Sequence, residues 1–173
     1  YYRANTTNRA VTINTTPALV IDRNLISISP SGLLTTFTGG RDIFIGNMSG
    51  AAATTASDNA FVGSNSGEKI TTGIGHSGFG YASLFSVTDS DYNSGFGSRS
   101  LFSTTTGDQN TACGRDAGFT NTTSSNSVYL GFKAGFYATA ANLLIIDNQG
   151  RTDLNVEKTN CMIYGVFHAT PSL

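Results

Sequence analysis

Charged side chains are scarce in this sequence of 173 residues: Asp, Glu, Lys and Arg make up 12%, about half the usual share of roughly 25%. Hydrophobic residues make up 39%, and Gly, Ser, Thr and Asn take the place of the missing charge. With eleven acidic and ten basic residues and no Lys/Arg cluster, the chain lacks the basic surface that neutralises phosphates, which argues against a nucleic-acid partner. No apolar run approaches the roughly 18 residues of a membrane span, so no membrane insertion is expected.

Cysteine and histidine are almost missing, and tryptophan is absent. Cys113 and Cys161 match no metal-binding spacing, and their separation favours two buried thiols while leaving one disulfide open. His76 and His168 have no partner at a metal-ligand spacing. The sequence therefore predicts neither a metal site nor a cofactor.

A repeat of constant period is present instead. Glycines recur every 17 residues without an insertion, at Gly46, Gly63, Gly80, Gly97, Gly114 and Gly131. The residue before each glycine is apolar, the third residue after it is Ser or Ala, and the eighth is always Thr. The fourth residue before it is a short polar residue or histidine, namely Asp42, Asn59, His76, Asn93, Asn110 or Ser127. Four columns aligned over six units predict a solenoid.

The residue types favour β structure over helix. Around each glycine the side chains alternate as in a short strand, for example at residues 43–45 and 128–130. Gly, Asn, Ser and Thr between these segments favour turns. A glycine at one fixed point indicates a tight corner that needs positive φ or close backbone approach. We therefore predict an all-β fold, a parallel β-solenoid (β-roll) whose six coils, stacked at about 4.8 Å, span roughly 29 Å.

Three regions follow from the repeat. Residues 1–40 lack the full signature and are expected to form N-terminal strands that cap or connect the rod, with a degenerate first coil near residues 23–29. Residues 41–141 hold the six repeats. Residues 142–173, where the spacing slips from 17 to 16, are expected to form a C-terminal cap of two or three strands.

Two further columns bear on assembly and function. Phenylalanines recur five residues after four consecutive repeat glycines, at Phe85, Phe102, Phe119 and Phe136. They are expected in the core, with packing between chains as the alternative. The threonine column predicts a hydrogen-bonded ladder at a corner rather than an ice-binding face. Because a thin single-chain solenoid leaves edges exposed, we predict a homotrimer.

The units DNAFVG (58–63), NTACG (110–114) and NSVYLG (126–131) resemble the Asn-x-x-apolar-Gly repeats of trimeric bacterial adhesin heads. The sequence is still more similar to repeat regions of bacteriophage tail fibres, through LIIDN (144–148) and MIYGVF (162–167). The resemblance covers roughly residues 40–168. It implies a homotrimeric fibre segment. The 17-residue unit, which is longer than the usual coil of adhesin heads, and His76 in the Asn column depart from the family pattern.

The predicted function is structural: a fibre or adhesin segment, on a virion (tail fibre) or an extracellular cell surface, that attaches to a host. The expected partners are further copies of the chain, other fibre or virion proteins, and a host surface glycan or receptor. Tyr81, Tyr92 and Tyr137 are the candidate ligand contacts, since tyrosines at turns can stack on sugar rings.

The chain is not expected to be an enzyme. One alternative is a polysaccharide-degrading tailspike fragment that uses paired carboxylates such as Asp89 and Asp91, or the group Asp147, Asp153 and Glu157. Others are a cellular trimeric adhesin head and, least favoured, an ice-binding solenoid.

Overall fold

The computed structural model describes residues 9–11, 19–21, 25–28 and 38–167, which form eleven strands and one short helix. In chain order the strands are β1 (Arg9–Val11), β2 (Leu19–Ile21), β3 (Leu25–Ile28), β4 (Asp42–Ile45), β5 (Ala60–Val62), β6 (Ser77–Phe79), β7 (Ser94–Phe96), β8 (Thr111–Cys113), β9 (Val128–Leu130), β10 (Leu143–Ile146) and β11 (Ile163–Val166), and the helix α1 (Leu154–Asn160) lies between the last two. No helix within this described part of the chain is long and apolar enough to cross a membrane.

The strands form one sheet in sequence order, and β3 to β10 run parallel. From β3 to β9 each residue pairs with the residue 17 positions later, as in Ile43 with Ala60. The fold is thus the predicted parallel β-solenoid, and we number its coils 1 to 6 by the repeat glycines. The register falls to 16 between β9 and β10, where Val128 pairs with Leu144. The strands β1, β2 and β11 add antiparallel pairs at the two ends.

From β4 to β9 the side chain of the central residue (residue 44 in β4) points into the coil, and its two neighbours point outward. The buried strand-centre column consists of Phe44, Phe61, Gly78, Gly95, Ala112 and Tyr129. The side chains on either side are all partly or fully exposed, and we call them the outer strip: Ile43, Ala60, Ser77, Ser94, Thr111, Val128 and Leu144, and in the second column Ile45, Val62, Phe79, Phe96, Cys113, Leu130 and Ile146. The residue before each glycine, although always apolar, therefore lies outside the core.

The strand-centre side chains share the coil interior with residues of the following turn. A second inward position, the turn column, lies four residues after each glycine, at Gly50, Gly67, Leu84, Leu101, Gly118 and Gly135. Where the strand centre is aromatic the turn column is glycine, and where the strand centre is glycine it is leucine. Size explains this exchange, since a Cβ at Gly50 would lie 2.7 Å from the Phe44 ring. Leu84 and Leu101 fill coils 3 and 4 at the cost of positive φ values of 51° and 49°.

The repeat glycines lie at tight corners, as predicted. Their φ values run from +113° to +138°, a range that L-residues rarely adopt. Each corner also lies against the corner of the next coil: a Cβ at Gly97 would be 2.7 Å from the carbonyl carbon and oxygen of Gly114. Positive φ and close approach, which the sequence offered as alternatives, are both present.

The threonine column forms the expected ladder at another corner. Thr54 Oγ1 donates to Thr71 O, and Thr71 Oγ1 to Thr88 O, both at 3.0 Å. The next two steps repeat the bond at 3.3 and 3.2 Å. Because these hydroxyl hydrogens are used within the stack, they are not presented to solvent, which weakens the ice-binding alternative.

The phenylalanine column differs from its expectation. Phe85, Phe102, Phe119 and Phe136 form a stack with ring centroids 4.9 to 5.1 Å apart and nearly parallel planes. The rings are half-buried and lie outside the core cluster, so the prediction that they fill the coil was wrong. The residue just before each phenylalanine, in the turn column, takes the inward position instead.

The C-terminal cap contains a helix where only strands were expected. Asp153 begins α1 by accepting hydrogen bonds from the amides of Asn155 and Val156 at 2.8 and 3.0 Å. Then β11 returns antiparallel to β10 and ends the sheet. An Asp before a run of residues that tolerate helix was the signal available in the sequence.

Candidate functional site

Exposed aromatic side chains concentrate on coils 3 and 4. Phe79 and Phe96 are 40% and 42% exposed in the outer strip, and their rings stack with centroids 5.3 Å apart. Tyr81 and Tyr92 are more exposed still, at 58% and 56%. Tyr92 lies two residues before β7, and Tyr81 lies two residues after β6. The tyrosines thus lie beyond the two ends of the strands and the phenylalanines lie within them, and we call these four exposed side chains the aromatic patch.

The three tyrosines predicted as ligand contacts do not lie together. Tyr81 and Tyr92 belong to the aromatic patch on neighbouring coils. Tyr137 lies in coil 6, is half-buried, and packs the edge of its ring on Phe136 at a centroid distance of 4.8 Å. Phe79 and Phe96 were not singled out from the sequence. The signal for them was the alternation of the strand, which does not say which of its two faces is buried.

Cys113 lies in the outer strip and is exposed, and Cys161 is partly buried. Neither forms a disulfide. The expectation of two buried thiols was therefore wrong for Cys113, because its strand turns Ala112 inward and Cys113 outward.

A buried polar ladder runs beside the strands. Asn59 Nδ2 donates to Asp42 Oδ1 at 2.8 Å and to Gly73 O at 3.0 Å, while its Oδ1 accepts from the amide of the next residue in the column, His76, at 2.8 Å. Asn93 and Asn110 repeat this pattern down to Ser127. At the head of the ladder, burial raises the pKa of Asp42 to about 6.

His76 reproduces the bonding of the asparagine it replaces. Its Nδ1 accepts from the Asn93 amide at 3.1 Å, and its Nε2 lies 2.7 Å from Ser90 O. This pair of partners requires the neutral tautomer with hydrogen on Nε2. Burial lowers the pKa of His76. The departure from the family pattern thus keeps the ladder intact.

Replacing His76 by asparagine is expected to remove a loss of stability at acidic pH. In the wild type the unfolded chain takes up the proton first as pH falls below about 6.5, because the folded pKa is lowered, so stability declines from there. We expect about 1 kcal/mol of this decline between pH 7.5 and 5.5 to be absent in His76→Asn. Urea unfolding at both pH values measures it.

Asp42 titrates in the same window with the opposite sign, since its raised pKa means that stability is lost as pH rises through about 6. The contribution of Asp42 to stability is the same in the wild type and in His76→Asn, so it cancels when their free energies of unfolding are subtracted. Equal pH slopes for His76→Asn and the wild type would contradict the assignment of His76.

The candidate catalytic carboxylates have structural partners. Asp91 Oδ1 accepts from the Ile74 amide at 2.9 Å. Asp89 Oδ1 lies 2.9 Å from Thr88 Oγ1, whose one hydrogen is shared between Asp89 and Thr105 O. Asp147 is paired with Arg151, and Asp153 caps α1 as described above. Asp91, Asp147 and Asp153 thus each have a structural partner, and Asp89 is exposed.

Glu157, the remaining candidate, closes the end of the rod. In earlier coils, turn amides donate to carbonyls of the next coil, as Gly118 N does to Ala134 O at 2.9 Å and Thr120 N to Phe136 O at 3.2 Å. Coil 6 has no seventh coil at this position. There the fully buried carboxylate of Glu157 faces the amides of residues 135–137.

Burial raises the pKa of Glu157, and the amides of Gly135, Tyr137 and Phe136 oppose that rise. Neither oxygen has a partner in full hydrogen-bond geometry, so the attraction is mainly electrostatic. With no exposed surface, this carboxyl is placed to close a backbone edge rather than to meet a substrate.

Within residues 38–167 no group of three or more His, Cys, Asp or Glu side chains is arranged to hold a metal ion. His168 lies outside the described residues. In comparison with known proteins, no family model, no curated protein and no solved structure matches the chain.

Proposed function

We propose that this chain is a structural segment of a homotrimeric fibre, of the phage tail fibre or adhesin kind, that holds an attachment surface against a host cell. Its place would be a virion or an extracellular surface. Its partners would be other copies, other fibre or virion proteins, and a host glycan or receptor. The observation that carries the proposal is a regular parallel β-solenoid with two exposed tyrosines, Tyr81 and Tyr92, beyond the two ends of its strands.

The mechanism is geometric. Every coil bonds to the next through strand, threonine and amide ladders, so bending the rod would distort many hydrogen bonds at once. A stiff rod keeps surface side chains in fixed relative positions. Three parallel copies then present the same contacts three times, and weak binding to a multivalent surface gains strength from the high effective concentration of the second and third contacts.

Sedimentation equilibrium of the isolated chain is the first test. We expect a mass near three times 18.1 kDa, because a trimer would cover apolar surface that a single rod leaves in water. The measurement needs no assumption about shape. A folded monomer at micromolar concentration would contradict the proposal.

The tyrosines are the candidate glycan contacts. Their substitution by residues that other coils carry in the same columns preserves the backbone: Tyr81→Ser follows Ser64, Tyr92→Asn follows Asn126, and Tyr137→Ser follows Ser103. We expect the triple variant to bind a glycan array or host cells at least about tenfold more weakly, because each lost stacking contact is multiplied across three chains.

A matched control changes three exposed threonines on another side of the coils, with Thr55→Ser, Thr72→Ser and Thr123→Ser. This variant is expected to bind as the wild type does. Unchanged binding by the tyrosine variant would reject the tyrosines as contacts.

A further inference from the structure

We propose that the outer strip is the surface through which copies of this chain associate, side by side, in the same direction and at the same axial level. The inference rests on the trimeric fibre proposed above and names the face that forms it.

The first argument is chemical. None of the fourteen outer-strip positions carries a charge, although the strip is at least partly exposed throughout. In its second column every residue is apolar, and the two phenylalanines, Phe79 and Phe96, expose about two fifths of their surface. A contiguous uncharged apolar surface of this kind is typical of a contact between proteins.

The second argument is axial spacing. The strip presents one apolar side chain per coil at strand spacing of about 4.8 Å, in register from β4 to β10. A partner that contacts every level must have the same rise. A second copy of the chain satisfies this condition along the whole strip.

The third argument is that another side of the rod is unsuited to self-association. Cations cover the phenylalanine stack: Lys69 lies 4.8 Å from the Phe85 ring centroid, and Arg99 lies 5.3 Å from that of Phe119. Lys133 lies 5.3 Å from the centroid of Phe136. Three copies meeting through this side would bring like charges together, which costs free energy. Contact through the outer strip brings no like charges together, because the strip is uncharged.

Size favours three copies over two. Seven strands at about 4.8 Å and three residues of strand give a flat strip of roughly 29 Å by 10 Å. That is about 300 Å², well below the roughly 800 Å² per partner of a standard interface. In a closed ring of three, each copy contacts two neighbours instead of one, so two contacts hold each chain in place.

Cys113 makes the arrangement testable because it is exposed within the strip, and three parallel copies in register place their three Cys113 thiols at one level. With Cys161→Ser as background, a short bismaleimide is expected to join two of the three chains of each trimer through Cys113. The matched control moves the thiol to another side of the coil, with Cys113→Ser and Thr106→Cys in the same background. No joined chains are expected there.

A second measurement does not depend on the thiol. Phe96→Ser, which repeats the serine found elsewhere on this face, is expected to weaken assembly at least tenfold in sedimentation. Phe102→Ser, a change of the same size within the phenylalanine stack, is expected to leave assembly within about twofold.

The outcomes separate the two proposals. A trimer that is cross-linked through Cys113 but not through Thr106→Cys supports the outer strip. A trimer with the opposite cross-linking, or one weakened by Phe102→Ser and not by Phe96→Ser, overturns the outer strip and leaves the fibre intact. A folded monomer overturns both.

Discussion

Replacing Gly97 by alanine is expected to lower the free energy of unfolding by about 3–5 kcal/mol, since backbone strain and overpacking each cost about 1–3 kcal/mol. At φ +133° an L-residue is strained. The new Cβ would also lie 2.7 Å from the Gly114 carbonyl. That neighbour is backbone in the middle of the stack, so it cannot move without disturbing the coils on both sides. Thermal and urea unfolding of Gly97→Ala measure the loss.

Gly165→Ala is the matched control. Gly165 lies in β11, its φ is outside the left-handed range, and a Cβ there would make only an ordinary contact, 3.7 Å from Leu144 Cβ. We expect a change within about 0.5 kcal/mol. A similar loss in both variants would mean that loss of glycine as such, and not the corner, is responsible.

The second large loss of stability is expected when Gly135 is replaced by leucine. Tyr129 is fully buried and its ring occupies the space beside Gly135. A leucine there has no room, and we expect Gly135→Leu to lose at least about 3 kcal/mol or to unfold coil 6. Tyr129→Gly alone should lose about 3–5 kcal/mol by leaving a cavity.

The double variant reproduces the arrangement of coils 3 and 4, where Gly78 and Gly95 are paired with Leu84 and Leu101. Leucine tolerates the backbone of this column there, at φ 51° and 49°. We therefore expect the double variant to be at least about 2 kcal/mol more stable than the sum of the single effects predicts. Tyr137→Gly combined with Gly135→Leu is the control, because Tyr137 lies at the surface. An equal gain in stability from that control would contradict the inference that the side chains at positions 129 and 135 fill the same space.

The period and the corners could be predicted from the sequence because a glycine with positive φ against a neighbouring corner has few substitutes. The same constraint repeats in every coil, so the column is conspicuous in one sequence alone. The threonine ladder was predictable for a similar reason: a hydroxyl at a fixed point of each turn bonds to the next coil.

The inward face of the strands could not be predicted from the same pattern. Ile43 and Ile45 lie outside, whereas Gly78 and Gly95 lie at the strand centres inside. In coils 3 and 4 the more hydrophobic strand residues therefore face outward, which is the opposite of what hydrophobicity alone predicts. In coils 1 to 4 and in coil 6, a large side chain at one of two inward positions goes with glycine at the other. Those two positions lie six residues apart, which alternation does not reveal. The same ambiguity hid Phe79 and Phe96 from the candidate site.

Because Glu157 closes the end of the stack, the contacts at that end do not depend on the number of coils that precede it. Each coil offers the next the same set of backbone groups, and only the final one meets a carboxylate instead of another turn. We therefore expect that a whole 17-residue block can be added or removed without a change at the end that Glu157 closes. The length of the solenoid then changes in steps of one coil, about 4.8 Å each, while the contact that closes it stays the same.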